Sequence, residues 1–161
     1  MISEDGRYAI VLNGEIYNYR ELANDLTAAG EVFHSASDTE VLLKAFRRWG
    51  LKCLDRLNGM FAFAVWDDRE KQLTLVRDRA GIKPLFYAST PEGFVFGSEI
   101  KAILASGLIE PQLDHESLDQ ALTFLWPVPP RTMFRGVHQL MPGHYGVWRD
   151  GELDRKSTRL N

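Results

Sequence analysis

The stretch Met60-Phe-Ala-Phe-Ala-Val-Trp66 alternates large and small side chains and is apolar at every position. A strand with one face in water would carry polar residues at every second position. Because both faces are apolar here, the stretch is typical of a strand packed between two layers. We therefore predict a layered fold that contains this strand.

The segments around this strand predict further strands, most of them joined by hairpins. Residues 67–72 are polar and turn-like, so residues 73–76 are predicted to return as a partner strand. The other predicted strands cover residues 8–12, 85–88, 94–96 and one or two short pieces within 137–147.

Four segments have the spacing of apolar residues that predicts a helix. Ser37-Asp-Thr-Glu40 has the form of a capping box, in which each side chain accepts a hydrogen bond from the other residue's backbone N–H. Asn18 and Asp114 are good helix-capping residues. The order of strands and helices predicts an α+β fold. The predicted helices cover about residues 19–29, 38–49, 100–104 and 115–125.

The composition is that of a globular protein with one domain. The 161 residues are 45% hydrophobic and 25% charged, and 19 basic against 22 acidic residues give a net charge of −3. This weakly acidic balance argues against nucleic-acid binding. One cysteine and four scattered histidines argue against a disulfide framework and against a metal site. No apolar run could span a membrane and no secretion signal is visible, so we expect no membrane partner and a cytoplasmic location.

Asn13-Gly14-Glu15, directly after the first predicted strand, has two interpretations. Asn-Gly is a common hairpin turn, and the local pattern alone favours that turn. Alternatively, the side-chain amide of Asn13 and the N–H of Gly14 are a pair of donors suited to an oxyanion hole. Asp38 either favours the start of its helix through the helix dipole or faces a ligand ammonium, and the local pattern favours the helix.

Five motifs occur in series along the chain: Asn13–Tyr19, Ser37–Glu40, Leu57–Ala62, Arg77–Leu85 and Ser98–Ala102. Together they resemble the glutaminase domain of class II glutamine amidotransferases, and most closely that of the glutamine-hydrolysing asparagine synthetases. The segments 130–137 and 140–144 are similar to the asparagine-synthetase branch in particular. The resemblance extends from about Tyr8 to Tyr145.

This resemblance implies an N-terminal-nucleophile hydrolase fold, which is a four-layer αββα sandwich with two antiparallel sheets. It also implies that an N-terminal Cys thiolate attacks the side-chain amide of glutamine and that ammonia is released. Asn13 and Gly14 would form the oxyanion hole, and Glu15 and Asp38 would hold the α-ammonium of glutamine. The ammonia would amidate aspartate in a synthetase domain in cis. Only that domain would use ATP and Mg, so no cofactor is expected for the present chain.

The chain departs from the family pattern at its start. It opens at Met1, which matches a position inside the family domain, so the sandwich would be incomplete at its N-terminus and would lack the nucleophile. Cys53 is no substitute, because its segment predicts a buried core position. We expect a truncated fragment that is inactive alone. Sheet edges left unpaired would make it poorly soluble or a homodimer.

The predicted domain boundary lies near the C-terminus. We predict a partial glutamine amidotransferase domain over residues 1–153. Residues 154–161 lack apolar periodicity and carry several basic residues, so they are either a solvated tail or a cloning or assembly scar.

Two other functions stay open. One is a non-catalytic module that keeps the fold and binds glutamine or a partner. The other is the glutaminase domain of a different class II amidotransferase, such as a phosphoribosyl or hexose-phosphate enzyme, or of a synthetase that makes another amide.

Overall fold

A computed structural model describes residues 1–157 of the chain, and the strands and helices in it follow the predicted order. The α+β class is therefore confirmed. The strands are β1 (Tyr8–Ile16), β2 (Gly59–Asp67), β3 (Gln72–Arg77), β4 (Phe86–Thr90), β5 (Gly93–Gly97), β6 (His138–Gln139), β7 (His144–Arg149) and β8 (Glu152–Ser157). The helices are α1 (Tyr19–Ala28), α2 (Asp38–Trp49), α3 (Ile100–Ala105) and α4 (His115–Phe124), with a 3₁₀ helix at Gly50–Arg56.

The strands form two antiparallel sheets. The large sheet has the order β1-β2-β3-β7-β8, and the small sheet has the order β5-β4-β6. β2 lies inside the large sheet, where Ala62 is opposite Asn13 of β1 on one side and Arg77 of β3 on the other. β1 is an edge strand, so one row of its backbone groups faces away from β2.

The two faces of β2 explain the layers of the fold. Its large residues Phe61, Phe63 and Val65 pack against the buried faces of α1 and α2. Its small residues Ala62 and Ala64 pack on the opposite side, in the core between the two sheets. A third core beneath α3 covers the outer face of the small sheet. The layers therefore run helices, sheet, sheet, helix, and the predicted strand between two layers is confirmed.

The end of β1 corrects the turn interpretation of Asn13-Gly14. Both residues lie within the strand, and Gly14 is opposite Phe61 of β2. A Cβ on Gly14 would lie 2.1 Å from the carbonyl oxygen of Met60, and one on Gly59 would lie 2.3 Å from that of Glu15. The backbones of β1 and β2 are thus so close at these two positions that no residue with a Cβ atom would fit. Gly14 also has a φ of 142°, which favours glycine. The turn interpretation was wrong because these glycines serve close strand packing.

The capping box predicted at the start of α2 is only half formed. The hydroxyl of Ser37 accepts a hydrogen bond from the N–H of Thr39 at 3.2 Å, as a capping residue does. The carboxylate of Glu40 does not return to Ser37. It accepts hydrogen bonds instead from the N–H groups of His34 and Ser35 and from the hydroxyl of Ser35. The preceding segment folds over the helix start, so Glu40 meets its donors there.

α4 contributes little to the core. Asp114 caps the helix as predicted, since its Oδ1 accepts a hydrogen bond from the N–H of Ser117 at 2.9 Å. Ser117 is the one buried residue of this helix. By contrast, Leu122, Leu125 and Trp126 are 76%, 85% and 63% exposed. α4 and the turn after it therefore present an apolar surface.

The chain continues as a strand beyond residue 153. β8 pairs with β7 from Glu152 to Ser157, so the predicted domain boundary falls inside β8. The guanidinium of Arg155 also donates a hydrogen bond to the hydroxyl of Tyr87 at 3.0 Å. β8 is an edge strand, where charged residues are common, and its sequence therefore lacks the apolar periodicity of a buried strand. Residues 158–161 of the predicted tail lie outside the described residues.

Candidate active site

Asn13 and Glu15 lie on the face of the large sheet that looks toward the small sheet. Their partners across β2 are Ala62 and Met60, and cross-strand partners share a face. The side-chain amide of Asn13 donates a hydrogen bond to the hydroxyl of Ser98 at 2.9 Å. Ser98 directly follows β5, so this bond joins the two sheets. It occupies one of the two N–H donors of the amide and leaves the second for a ligand.

The N–H of Gly14 points to the open edge of β1. Across the pair, the N–H and C=O of Phe61 both bond to Asp78, on the side of β2 away from β1. Gly14 and Phe61 are therefore a pair without mutual hydrogen bonds, and the backbone groups of Gly14 face outward. Ile16 shares this edge with Gly14. A ligand lying along the edge would meet the N–H of Gly14 directly.

Asp38 is brought to the same edge by α2. It is the first residue of the helix, and its Oδ2 accepts a hydrogen bond from the N–H of Ile16 at 3.0 Å. Its Oδ1 accepts a further hydrogen bond from the hydroxyl of Thr39 at 3.3 Å. A carboxylate has about four lone-pair positions, so acceptor capacity is left for an ammonium group. Glu15, the neighbour of Ile16, is exposed.

The four site residues from the sequence therefore gather at one end of β1, and the structure adds Ser98. Asn13 and Ser98 line a cavity of about 190 Å³ between the sheets, with Leu12 and Phe96 among its apolar walls. The sequence motif Ser98–Ala102 contained this serine but gave no reason to pair it with Asn13. That pairing depends on how the two sheets stack, which local sequence does not encode.

Arg77 and Asp78 hold the backbone beside this site. Arg77 is buried, and its guanidinium donates hydrogen bonds to the carbonyl oxygens of Gly81, Lys83 and Leu140. Burial lowers the pKa of Arg77 below its ordinary value. Because the guanidinium is bonded to protein carbonyls, it acts as a structural group in the loop 78–83 and is not a free anion site.

Cys53 is far from being a nucleophile. It is fully buried in the core beneath α2, and burial raises the pKa of its thiol to about 12. A thiol needs a lowered pKa and access to solvent to attack a substrate. The predicted core position of Cys53 is confirmed.

Residues 1–157 contain neither a candidate metal site nor a candidate membrane-spanning helix. No group of three or more His, Cys, Asp or Glu side chains in this range is placed to hold a metal ion. No helix in the same range has the length and apolar character needed to cross a membrane.

Comparison with known proteins identifies the family. A family model described as a glutamine amidotransferase domain matches residues 1–158. The chain belongs to this family. Relatives include asparagine synthetase [glutamine-hydrolyzing] 3 of Bacillus subtilis, 45% identical over 85% of this chain and 22% of its own length. A putative asparagine synthetase [glutamine-hydrolyzing] of Mycobacterium tuberculosis is 43% identical over 95% of this chain and 24% of its own. The chain thus spans under a quarter of these relatives.

A solved structure supports the fold. The glutamine phosphoribosylpyrophosphate amidotransferase of B. subtilis, complexed with ADP and GMP, superposes with a TM-score of 0.71. The match covers 100% of this chain and 31% of that one at 20% identity. At this identity the likeness concerns the fold alone. The predicted antiparallel sandwich of N-terminal-nucleophile type is confirmed.

Proposed function

We propose that the chain is the glutaminase part of a glutamine-hydrolysing asparagine synthetase, which releases ammonia from glutamine for the amidation of aspartate. The observation that carries the proposal is the meeting of Asp38 with the open edge of β1, beside Asn13, Gly14 and Glu15. Donors for an oxyanion and acceptors for an ammonium then lie at opposite ends of one short strand segment.

In the proposed reaction, Asn13 and Gly14 stabilise the oxyanion that forms when the amide carbon of glutamine is attacked. The bond from Asn13 to Ser98 fixes the direction of the amide, so its second N–H has a set position. Donors fixed in advance need no reorganisation as charge develops, and losing one typically raises the barrier by about 3–4 kcal/mol.

Asp38 and Glu15 would hold the α-ammonium of glutamine. Asp38 is itself fixed by the N–H of Ile16, which is the residue after Glu15. Two carboxylates that hold one cation favour an amino acid over an analogue without the amino group, which would bind more weakly. Each hydrogen bond to a charged group contributes about 1.5–3 kcal/mol.

The attacking thiol must come from outside these 161 residues, because their one cysteine is buried with a raised pKa. We therefore expect the purified chain to release no ammonia from glutamine. Ammonia release that disappears in Asn13→Ala would contradict this expectation.

The exposed surface of α4 supports a proposal about the partner. Leu122, Leu125 and Trp126 expose apolar area that monomeric proteins usually cover. We propose that the synthetase domain of a longer polypeptide covers this surface in cis. Changing Leu125 and Trp126 to serine should make the isolated chain more soluble. Val32→Ser serves as the control, because Val32 is 67% exposed and lies outside α4 and the turn that follows it.

The function is tested by titrating the chain with L-glutamine and following amide chemical shifts by NMR. Binding is expected to be weak, in the millimolar range, with shifts concentrated at residues 13–16 and at Asp38. Asp38→Asn should weaken it about tenfold, as expected for one charged hydrogen bond at roughly 1.4 kcal/mol per decade. Asp25→Asn, an exposed residue of α1, is the matched control. Unchanged affinity in Asp38→Asn would contradict the assigned role.

A further inference from the structure

Glu40 lies near the start of α2 yet bonds to the segment that precedes the helix. Its Oε2 accepts hydrogen bonds from the N–H and hydroxyl of Ser35 at 2.7 and 2.6 Å, and its Oε1 accepts one from the N–H of His34 at 2.9 Å. Glu40 is 6% exposed. A buried carboxylate with three donors is a rigid anchor, because each hydrogen bond to the charge is strong.

A short chain of hydrogen bonds connects this anchor to the candidate site. The hydroxyl of Ser35 donates to Glu40 and accepts from the N–H of Ser37 at 3.3 Å. Ser37 is the residue before Asp38 and caps the helix. Glu40 therefore fixes the backbone of residues 34–37, and the position of Asp38 on the edge of β1 depends on that segment.

Lys44 lies beside this buried carboxylate. It lies one turn after Glu40 on α2, is also 6% exposed, and places its Nζ 3.7 Å from Glu40 Oε1. The same Nζ is 3.1 Å from the carboxylate of Glu4. Burial alone would raise the pKa of Glu40, but the three hydrogen bonds and, to a smaller extent, the charge of Lys44 lower it below its ordinary value.

We propose that Glu40 is a positioning residue for glutamine recognition: through Ser35 and Ser37 it holds Asp38 where the α-ammonium binds. The proposal rests on the proposed function of Asp38 as the ammonium ligand. In Glu40→Gln one carboxylate oxygen becomes an NH₂ group, which cannot accept from His34 or Ser35. The segment should loosen and Asp38 should lose its fixed position.

The first arm of the test needs no ligand. The amide hydrogen-exchange rate of Ile16, which donates to Asp38, is measured relative to that of Ile10, which donates to the carbonyl of Met1 on the same edge. We expect Glu40→Gln to raise this ratio about threefold to tenfold. Glu21→Gln is the matched control, because Glu21 is exposed and is likewise the third residue of its helix.

The second arm compares two ligands by NMR titration. L-Glutamine carries the α-ammonium, and 4-carbamoylbutanoate is the same molecule without the amino group. Glu40→Gln should weaken glutamine binding about threefold to tenfold and leave the affinity for 4-carbamoylbutanoate unchanged. Ser35→Ala, which removes the connecting hydroxyl, should act in the same direction.

Each outcome decides a different point. An unchanged exchange ratio in both variants would overturn the positioning role. Equal loss of both ligands would also overturn it, since it would indicate a general structural defect. If the parent chain binds no glutamine, the proposed function fails, and the exchange ratio still decides whether Glu40 positions Asp38.

Discussion

Replacing Gly14 by alanine should disrupt the contact between β1 and β2 at the candidate site. The new Cβ would lie 2.1 Å from the carbonyl oxygen of Met60, whereas carbon–oxygen contacts lie near about 3.3 Å. The obstacle is backbone, so no side-chain rotation relieves it. The strands must separate by more than about 1 Å, which lengthens the hydrogen bonds between Asn13 and Ala62 and between Glu15 and Met60 beyond a useful distance.

The expected loss of stability combines two destabilising contributions with one smaller contribution of opposite sign. Weakening four ladder hydrogen bonds by about 0.5–1 kcal/mol each removes roughly 2–4 kcal/mol. Forcing an alanine to the φ of 142° at this position adds about 1–2 kcal/mol. The more restricted unfolded chain returns about 0.4–1 kcal/mol. We expect Gly14→Ala to lower the free energy of unfolding by about 3–5 kcal/mol.

Two other glycines separate the contributions. A Cβ on Gly59 would lie 2.3 Å from the carbonyl oxygen of Glu15, but Gly59 has no positive φ. Gly59→Ala therefore isolates the steric contribution, about 2–4 kcal/mol. Gly30 has a φ of 93° and no atom within 4 Å of its Cβ position. Gly30→Ala isolates the conformational contribution, about 1–2 kcal/mol.

The assay is urea unfolding followed by tryptophan fluorescence, with the parent chain and the three variants in one buffer. The expected order of destabilisation is Gly14→Ala, then Gly59→Ala, then Gly30→Ala. If Gly14→Ala destabilises no more than Gly30→Ala, the close approach of the strands does not require glycine and the reasoning is refuted.

Three further predictions concern charge and burial. Arg7 donates two hydrogen bonds to Asp67 and lowers the pKa of that carboxyl from 3.8 to about 2. The ionised pair therefore stabilises the folded chain fully above about pH 4, and this contribution to the free energy of unfolding is lost as the pH falls toward 2. The urea midpoint, measured at pH 5, 3 and 2, should fall more steeply with pH in the parent chain than in Asp67→Asn. If the midpoint falls equally in both, the Arg7–Asp67 pair does not stabilise the fold. Arg77→Lys should lower the free energy of unfolding by about 2–3 kcal/mol, because three carbonyl oxygens spaced around three guanidinium nitrogens cannot all be reached from one Nζ atom. Arg79→Lys, at an exposed position, should change the urea curve little, and equal effects of the two variants would argue against the anchoring role of Arg77. Cys53, with its pKa raised to about 12, should react with a thiol reagent only in denaturant, and rapid labelling of the folded chain would show that the thiol is accessible.

The parts of the fold that sequence predicted well depend on burial. Residues 60–66 predicted a strand between two layers because each side chain reports the polarity of its surroundings, and the two faces of β2 lie in two different cores. Asp114 as a helix cap was also predictable, since capping involves donors only three residues away.

The parts that sequence missed depend on partners distant in the chain. Asn13-Gly14 resembles a turn locally, and only the presence of Gly59 on the neighbouring strand shows why glycine is needed there. Glu40 fits a capping box by its spacing, yet the path of residues 34 and 35 gives it other donors. Ser98 meets Asn13 only once the two sheets stack.

The glycine pair of β1 and β2 also determines how these two strands can align. A slip by one residue would turn Asn13 toward the helices and bury its amide among apolar side chains. A slip by two residues would keep the faces but bring Leu12 or Ile16 to the narrow position opposite Phe61, where the backbone of β2 leaves no room for a Cβ. Burial of apolar area alone would tolerate several alignments of two such strands. Gly14 and Gly59 permit only one alignment of β1 with β2, and this alignment places the residues of the candidate site.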